Sequence, residues 1–194
     1  MDKTGSMIDT GAHILRETTE TTYLKDTVRS AVSTPANHDI PHLIVGGLAV
    51  LEYWYYRVTL DVDIVVPDIW EAVEVLTADL SSPFIRLPDC EDSVRDRRSG
   101  VIVNLFPAGR VLKPDCQVPF PEPHTVSITP IIVPLVDLLS LKLDSWVHSP
   151  TRRVKDKADV VELIARRHLP HDLAVQPAVR SLYEEVWDAL QKEP

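Results

Sequence analysis

The sequence predicts an α/β protein of the mixed α+β kind: a mixed twisted sheet with flanking helices, followed by a C-terminal helical segment. Three observations predict it. Short, branched apolar runs at residues 42–45, 59–66 and 101–106 have the length and composition of buried strands. The stretches around residues 12–32, 48–56 and 68–80 are long or apolar enough to be helices packed against them. After Pro134 the strand-like runs stop and three helix-periodic stretches follow. At 194 residues, with 44% hydrophobic and 25% charged residues, the chain suits one globular unit with a buried core and lies outside the composition of disordered or fibrous chains.

Along the chain, residues 12–32 predict a leading helix whose buried stripe is Ile14, Leu15, Leu24, Val28 and Val32, broken by the stretch 35–39. His42, Leu43, Ile44 and Val45 form a first strand, ended by Gly46 and Gly47. Dense apolar residues from Leu48 to Tyr56 lack a period of two, so a helix packed on the sheet is expected. A second strand over 59–66 alternates Leu60, Val62 and Ile64 on one face with Thr59, Asp61, Asp63 and Val65 on the other. Asp68 has the chemistry of an N-cap for a helix running to Leu80.

Strands are expected at 84–87 and 101–106, separated by a strongly charged loop from Glu91 to Arg98. The proline-rich, aperiodic stretch 107–123 predicts an extended surface loop, with a strand around 126–128 after it. Residues 135–147, 154–167 and 173–190 each carry helical spacing. This divides the chain into an N-terminal helix and extension (1–38), a sheet-bearing core (39–133) and a helical segment packing on it (134–194).

Composition bounds the function. The opening residues MDKTGSMIDTG lack an apolar run, and the greasiest stretch, Ile131 to Leu143, is interrupted by Pro134, Asp137 and Lys142, so neither a signal peptide nor a membrane partner is expected and a cytoplasmic location is. Cys90 and Cys116 fit no metal-ligand spacing and predict free thiols, and the histidines are too scattered to predict a metal site of their own. A net charge of −9 repels nucleic-acid backbones. Arg152, Arg153, Lys155 and Lys157, followed by Arg166, Arg167 and His168, are a local exception that a solvated helix face explains as well.

The chemistry centres on Asp61 and Asp63. Two residues apart in a strand, their carboxylates leave the same face, and two hard oxygen donors suit Mg²⁺ (or Mn²⁺), whose other positions go to water and substrate phosphate oxygens. Desolvating such a pair without a cation is costly. Gly46 and Gly47 stand at a strand-to-helix junction, where glycine allows either a tight turn with close approach of a phosphate or simple helix packing. Tyr53, Trp54, Tyr55 and Tyr56 follow; core packing suits most of them better than base stacking.

Taken together, Val45-Gly46-Gly47-Leu48-Ala49-Val50 and Arg57-Val58-Thr59-Leu60-Asp61-Val62-Asp63-Ile64-Val65-Val66 resemble the signature of the nucleotidyltransferases of the DNA polymerase β superfamily. The nearest flavour is that of the small nucleotidyltransferases akin to type IV abortive-infection toxins. Pro134 to Leu143 looks like that family's lysine-bearing helix, and Arg153 to Val160 like its later basic-acidic motif. The resemblance spans roughly residues 40–168. It implies transfer of a nucleoside monophosphate from a nucleoside triphosphate to a hydroxyl acceptor, with release of pyrophosphate.

The implied roles are metal binding by Asp61 and Asp63, and nucleotide binding by Gly46, Gly47, Arg57, Thr59, Lys142, Lys155 and Asp159. Toxin-like relatives imply tRNA as acceptor and an antitoxin-like protein partner, whereas the acidity of the chain suits a small cationic molecule. Bland readings stand beside these roles. Lys142 could snorkel from an apolar helix, Asp156 and Asp159 could pair with Lys155 or Lys157, and Arg57 could pin the strand entrance.

One residue departs from the family pattern. Where a third carboxylate is expected on the adjacent strand, the segment 100–107 carries Asn104. An amide orients a hydroxyl or offers a carbonyl oxygen but supplies no charge and no general base, a loss worth about 10²–10⁴-fold in rate. The alternative is therefore a weakened or non-catalytic module that binds a nucleotide or a protein partner.

Overall fold

The computed structural model describes residues 22–53, 55 and 59–192. Five strands, β1 (Leu43–Val45), β2 (Asp61–Val66), β3 (Phe84–Leu87), β4 (Cys90–Asp96) and β5 (Ile102–Pro107), make one mixed sheet in the order β1-β2-β5-β4-β3. The central pair β2 and β5 is parallel and the other neighbours are antiparallel. Around it lie α1 (Thr22–Ala36), α2 (Gly46–Glu52), α3 (Ile69–Thr77), α4 (Leu135–Val147), α5 (Val154–Arg167) and α6 (Arg180–Lys192).

The period of two along β2 divides the core. Val62, Ile64 and Val66 face α1 and α3, packing with Val28, Val32 and Leu76. Val65 faces the opposite way, into a second cluster built from Leu139 and Leu143 of α4, Leu163 of α5 and Tyr183 of α6. Asp61 and Asp63 share the Val65 side by the same alternation, so the C-terminal helices stand over the sheet face that carries the aspartates.

Several expectations hold. Strand β3 and helices α4 and α5 have the predicted bounds, and Asp68 caps α3 by accepting from Glu71 N at 3.1 Å. Other boundaries move. The described part of the leading helix runs on through Pro35 to Ala36, and a turn with Asp39 at φ 58° ends it; residues 12–21 lie outside the described residues. α2 starts at Gly46 itself and stops at Glu52, α3 stops at Thr77, and Leu60, assigned to the buried face of β2, lies before the strand and is 75% exposed. The third C-terminal helix begins at Arg180, after a 3-10 turn at Pro177–Val179.

Three corrections are larger. Residues 91–98, expected as a loop, contain most of β4: Glu91, Asp92 and Arg95 are exposed while Ser93, Val94 and Asp96 are buried. Asp96 tolerates burial because Thr27 Oγ1 donates to it at 2.7 Å and Arg98 Nη2 at 2.7 Å. No strand forms at 126–128, where Val126 and Ile128 are exposed; the chain instead pairs along β1 slightly later, with Ile44 N donating to Ile131 O at 2.7 Å and Val133 N to Ile44 O at 3.0 Å. The 107–123 stretch is no surface loop either, since Cys116, Val118 and Phe120 are buried, and Phe120 stacks on Phe106 at 4.8 Å between centroids.

Candidate active site

Between the sheet and the C-terminal helices opens a cleft of about 260 Å³, walled by Val45 and Gly46, by Asp61, Asp63 and Asn104, and across from them by Lys142, Ser145, Arg153 and Asp156. The parallel register sets Asn104 of β5 directly beside Asp63 of β2, and Asn104 Nδ2 donates to Asp63 Oδ1 at 2.9 Å. Ser93 Oγ on β4 donates to Asn104 Oδ1 at 3.1 Å. The amide is therefore fixed from both sides, by a carboxylate and by a hydroxyl. Thr59 Oγ1 donates to Asp61 Oδ1 at 3.1 Å, and Asp61 itself is exposed at the cleft rim.

Asp63 is the deeper of the pair. Burial pushes its carboxyl up to about 6; the Asn104 hydrogen bond opposes that rise, the charge of Asp61 adds to it, and Lys142 and Arg153 oppose it. Its other oxygen occupies the space above Gly46, whose φ is +65°: a Cβ built there would lie 1.9 Å from Asp63 Oδ2. Glycine is required twice over, for the left-handed backbone and for room. Gly46→Ala is accordingly expected to lower stability by about 1–2 kcal/mol from the backbone term alone, and by more because the new Cβ displaces Asp63, read as an earlier urea midpoint. An unchanged midpoint in that variant would count against the close packing of Asp63 on Gly46.

Other predicted site residues are distributed differently. Gly47 is buried and does not line the cleft, Lys155 is exposed on α5 away from it, and Arg57 lies outside the described residues. Lys142 is buried at the cleft wall, held by Asp156 Oδ1 at 2.6 Å and Asp159 Oδ2 at 2.9 Å. Asp159 thus meets Lys142 rather than the cleft. Neither aspartate follows the expected pairing with Lys155 or Lys157, because both point inward from α5. Ser145 Oγ donates to Asp156 Oδ2 at 2.8 Å, and Arg153 stands 4.0 Å from the same oxygen with its side chain half-exposed. Ser145 carried no sequence signal; Arg153 lay within the basic-acidic motif but was not singled out from it. The aromatic run packs as expected where described: Tyr53 OH donates to Val133 O at 2.8 Å, and Arg166 lies over the Tyr55 ring.

No family model and no curated protein matches the chain. Among solved structures it is similar to the antibiotic-resistance factor ANT(2'')-Ia in solution, at 13% identity and TM-score 0.47 over 86% of this chain and 94% of that one. It is also similar to ANT(2'')-Ia in complex with adenylyl-2''-tobramycin, at 12% identity and TM-score 0.47 over 84% and 97% of the two chains. A third similarity is to the Thermotoga maritima CCA-adding enzyme complexed with tRNA, at 15% identity and TM-score 0.46; it covers 92% of this chain and 45% of that one, less than half of the enzyme's length.

Proposed function

We propose that the chain is a metal-dependent nucleotidyltransferase, transferring a nucleoside monophosphate from a nucleoside triphosphate to a hydroxyl acceptor with release of pyrophosphate. The observation that carries this reading is the sharing of one cleft by Asp61 and Asp63 on one strand face, with Asn104 in register beside them. The likeness of residues 45–50 and 57–66 to the superfamily signature supports it.

The residues present fit a divalent cation. Asp61 and Asp63 are hard oxygen donors on one face, Asp63 is held by Asn104 on one oxygen and confined against Gly46 on the other, and a cleft adjoins both. When bound there, Mg²⁺ or Mn²⁺ would supply charge stabilisation for the phosphoryl oxygens and orientation for the attacking and leaving groups. The chain does the rest. Asp61 and Asp63 hold the cation, Asn104 fixes the deeper carboxylate, and Thr59 orients the outer one. Arg153, half-exposed at the cleft wall, takes the far phosphates, a role in which planar guanidinium donors excel. Lys142 contributes its field to Asp63 and holds α4 to α5. The acceptor chemistry that suits a chain of net charge −9 is a small cationic molecule bearing hydroxyls, rather than a polyphosphate such as tRNA.

A second reading has one observation in its favour: both ends of the Asn104 amide are already engaged, so no base is offered to an acceptor hydroxyl. On that reading the cleft binds a nucleotide without turning it over. One experiment separates the readings. Each triphosphate is added with and without Mg²⁺, thermal stability is measured, and pyrophosphate is then assayed with a panel of polyamine-bearing polyols and with tRNA. Metal-dependent stabilisation with pyrophosphate release supports the enzyme; stabilisation alone supports the module; no stabilisation by any triphosphate sinks both.

Asn104→Asp is the sharper probe. The new carboxylate would stand beside Asp63, raise the Asp63 pKa further in metal-free protein and supply the missing base. The expected result is lower metal-free stability with a rate about 10²–10⁴-fold higher under saturating Mg²⁺. An unchanged rate would mean that position 104 does not face the acceptor.

A further inference from the structure

We infer that Cys116, Asp144 and His148 form a second metal site, of a chemistry suited to Zn²⁺, at the wall of the cleft. One ligand atom from each of these residues lies within 4.8 Å of the other two. The set mixes a thiol, a carboxylate and an imidazole, which is a Zn²⁺ donor set and a poor one for Mg²⁺. It shares no residue with the oxygen donors Asp61 and Asp63, so the inference does not rest on nucleotidyl transfer.

The geometry is assembled by two elements. Asp144 lies in the last turn of α4 and His148 is its C-cap, an i, i+4 pair that projects from one side of the helix. His148 Nδ1 lies 3.3 Å from Asp144 Oδ1. With metal–nitrogen and metal–oxygen bonds of about 2.0–2.2 Å, the edge of a tetrahedron is roughly 3.3–3.5 Å, so these two atoms already stand at coordinating separation. Cys116 comes from the proline-rich stretch and is held in place by its neighbours: Gln117 N donates to both Asp144 oxygens, at 3.2 Å to Oδ1 and 3.0 Å to Oδ2, and Val118 N donates to Oδ2 at 3.0 Å. Those bonds leave carboxylate lone pairs for a cation and fix the ligand's orientation as outer-shell partners do.

Burial sharpens the argument. Cys116 is 7% exposed and Asp144 3% exposed. Cys116 and Asp144 also line the cleft, so three protein ligands would leave a fourth position facing it, the pattern of sites that retain a water or a substrate atom. Binding requires two adjustments. The Cys116 thiol gives its proton to solvent as the sulfur–metal bond forms. His148, whose Nδ1–H donates to the Asp144 carbonyl oxygen at 2.8 Å, gives up that hydrogen bond, carries its ring proton on Nε2 and turns the Nδ1 lone pair from the carbonyl to the cation. No electron is transferred. The consequence for the cleft is mechanical: the metal ties the strand of chain carrying Val118 and Phe120 to α4, stiffening the wall opposite Asp63.

The test uses the full chain, stripped with a chelator and titrated with Co²⁺ alone and then Zn²⁺ alone. The expected result is one equivalent of Co²⁺ bound with thiolate-to-cobalt charge-transfer absorption, displaced by Zn²⁺. That absorption persists in Cys90→Ser and Asp63→Asn and disappears in Cys116→Ser. His148→Gln weakens binding by more than the roughly 10–100-fold that loss of an outer-shell partner costs. His148 is only partly buried, so this variant carries the test if Cys116→Ser fails to fold. Absence of a thiolate band in the unaltered protein, a band that follows Cys90, or unchanged affinity in His148→Gln would each overturn the assignment.

Discussion

Asp63→Asn is expected to abolish the proposed nucleotidyl transfer while making the metal-free protein more stable at pH 8. The Asp63 carboxyl is pushed up to about 6 in the folded chain, chiefly by burial, whereas an unfolded aspartate titrates near ~3.9. Between those values the folded state binds more protons than the unfolded state. Stability therefore falls as pH rises from about 4 to about 6, and the deficit persists above. At about 1.4 kcal/mol per pH unit the upper bound is on the order of 3 kcal/mol, reduced by whatever relaxation the cleft allows. An asparagine carries no charge to desolvate and can still pair with the Asn104 amide. The gain should appear in urea titrations at pH 8 in chelator and fade as pH is lowered towards 4.

Added Mg²⁺ should reverse the order. On the metal role proposed for Asp63 it would bind the ionised carboxylate, stabilising the unaltered protein and leaving the variant unmoved. Activity should fall by about 10³-fold or more, the scale of losing several kcal/mol of transition-state stabilisation. Equal stabilisation of both proteins by Mg²⁺, or a variant that is the weaker of the two at pH 8, would remove Asp63 as the metal residue. A structure that holds a carboxylate at such a disadvantage is most simply understood as one shaped for a cation.

The sequence was most informative where one local period decided the outcome. In β2 the alternation of Val62, Ile64 and Val66 with Asp61, Asp63 and Val65 fixes which face each side chain takes, and the apolar packing of Val62, Ile64 and Val66 on one side leaves the aspartates to the other. The apolar spacing of α4 and α5 and the Asp68 cap are similarly local. β4 was missed because its charges suggested a loop: Glu91, Asp92 and Arg95 lie on the exposed positions, and the burial of Asp96 depends on Thr27 from a distant helix. Buried Val118 and Phe120 were hidden by the prolines around them, whose aperiodicity says nothing about what the chain packs against.

The candidate site shows the same division. Asn104 was placed next to the aspartates only by the resemblance to the superfamily, and its bridge from Ser93 to Asp63 depends on the register of three strands. Gly46 could be recognised as a turn, yet the reason no larger residue fits is the carboxylate of a residue far along the chain. Lys142 was legible as an unusual cation in an apolar helix; that two aspartates of the next helix enclose it was not, because helical spacing fixes a face and not its partner.

That enclosure gives the largest expected loss of stability. Lys142→Met keeps the volume and apolar stem but withdraws the ammonium shared by Asp156 and Asp159, both buried at the junction of α4 and α5. Two buried carboxylates then face each other without that cation, a situation that costs about 3–5 kcal/mol when one partner of a buried pair is removed. Asp63 also loses a positive neighbour, so its carboxyl should move still higher. The expected readout is a urea midpoint far below that of the unaltered protein at pH 8. Combining Lys142→Met with Asp156→Asn and Asp159→Asn should recover most of the loss, since amides can be buried with hydrogen bonds alone and Ser145 still donates to position 156. If Lys142→Met were as stable as the unaltered protein, the ammonium would not be holding the two helices together. It would then be free to reach a phosphate in the cleft, and the division of labour between Lys142 and Arg153 would have to be reversed.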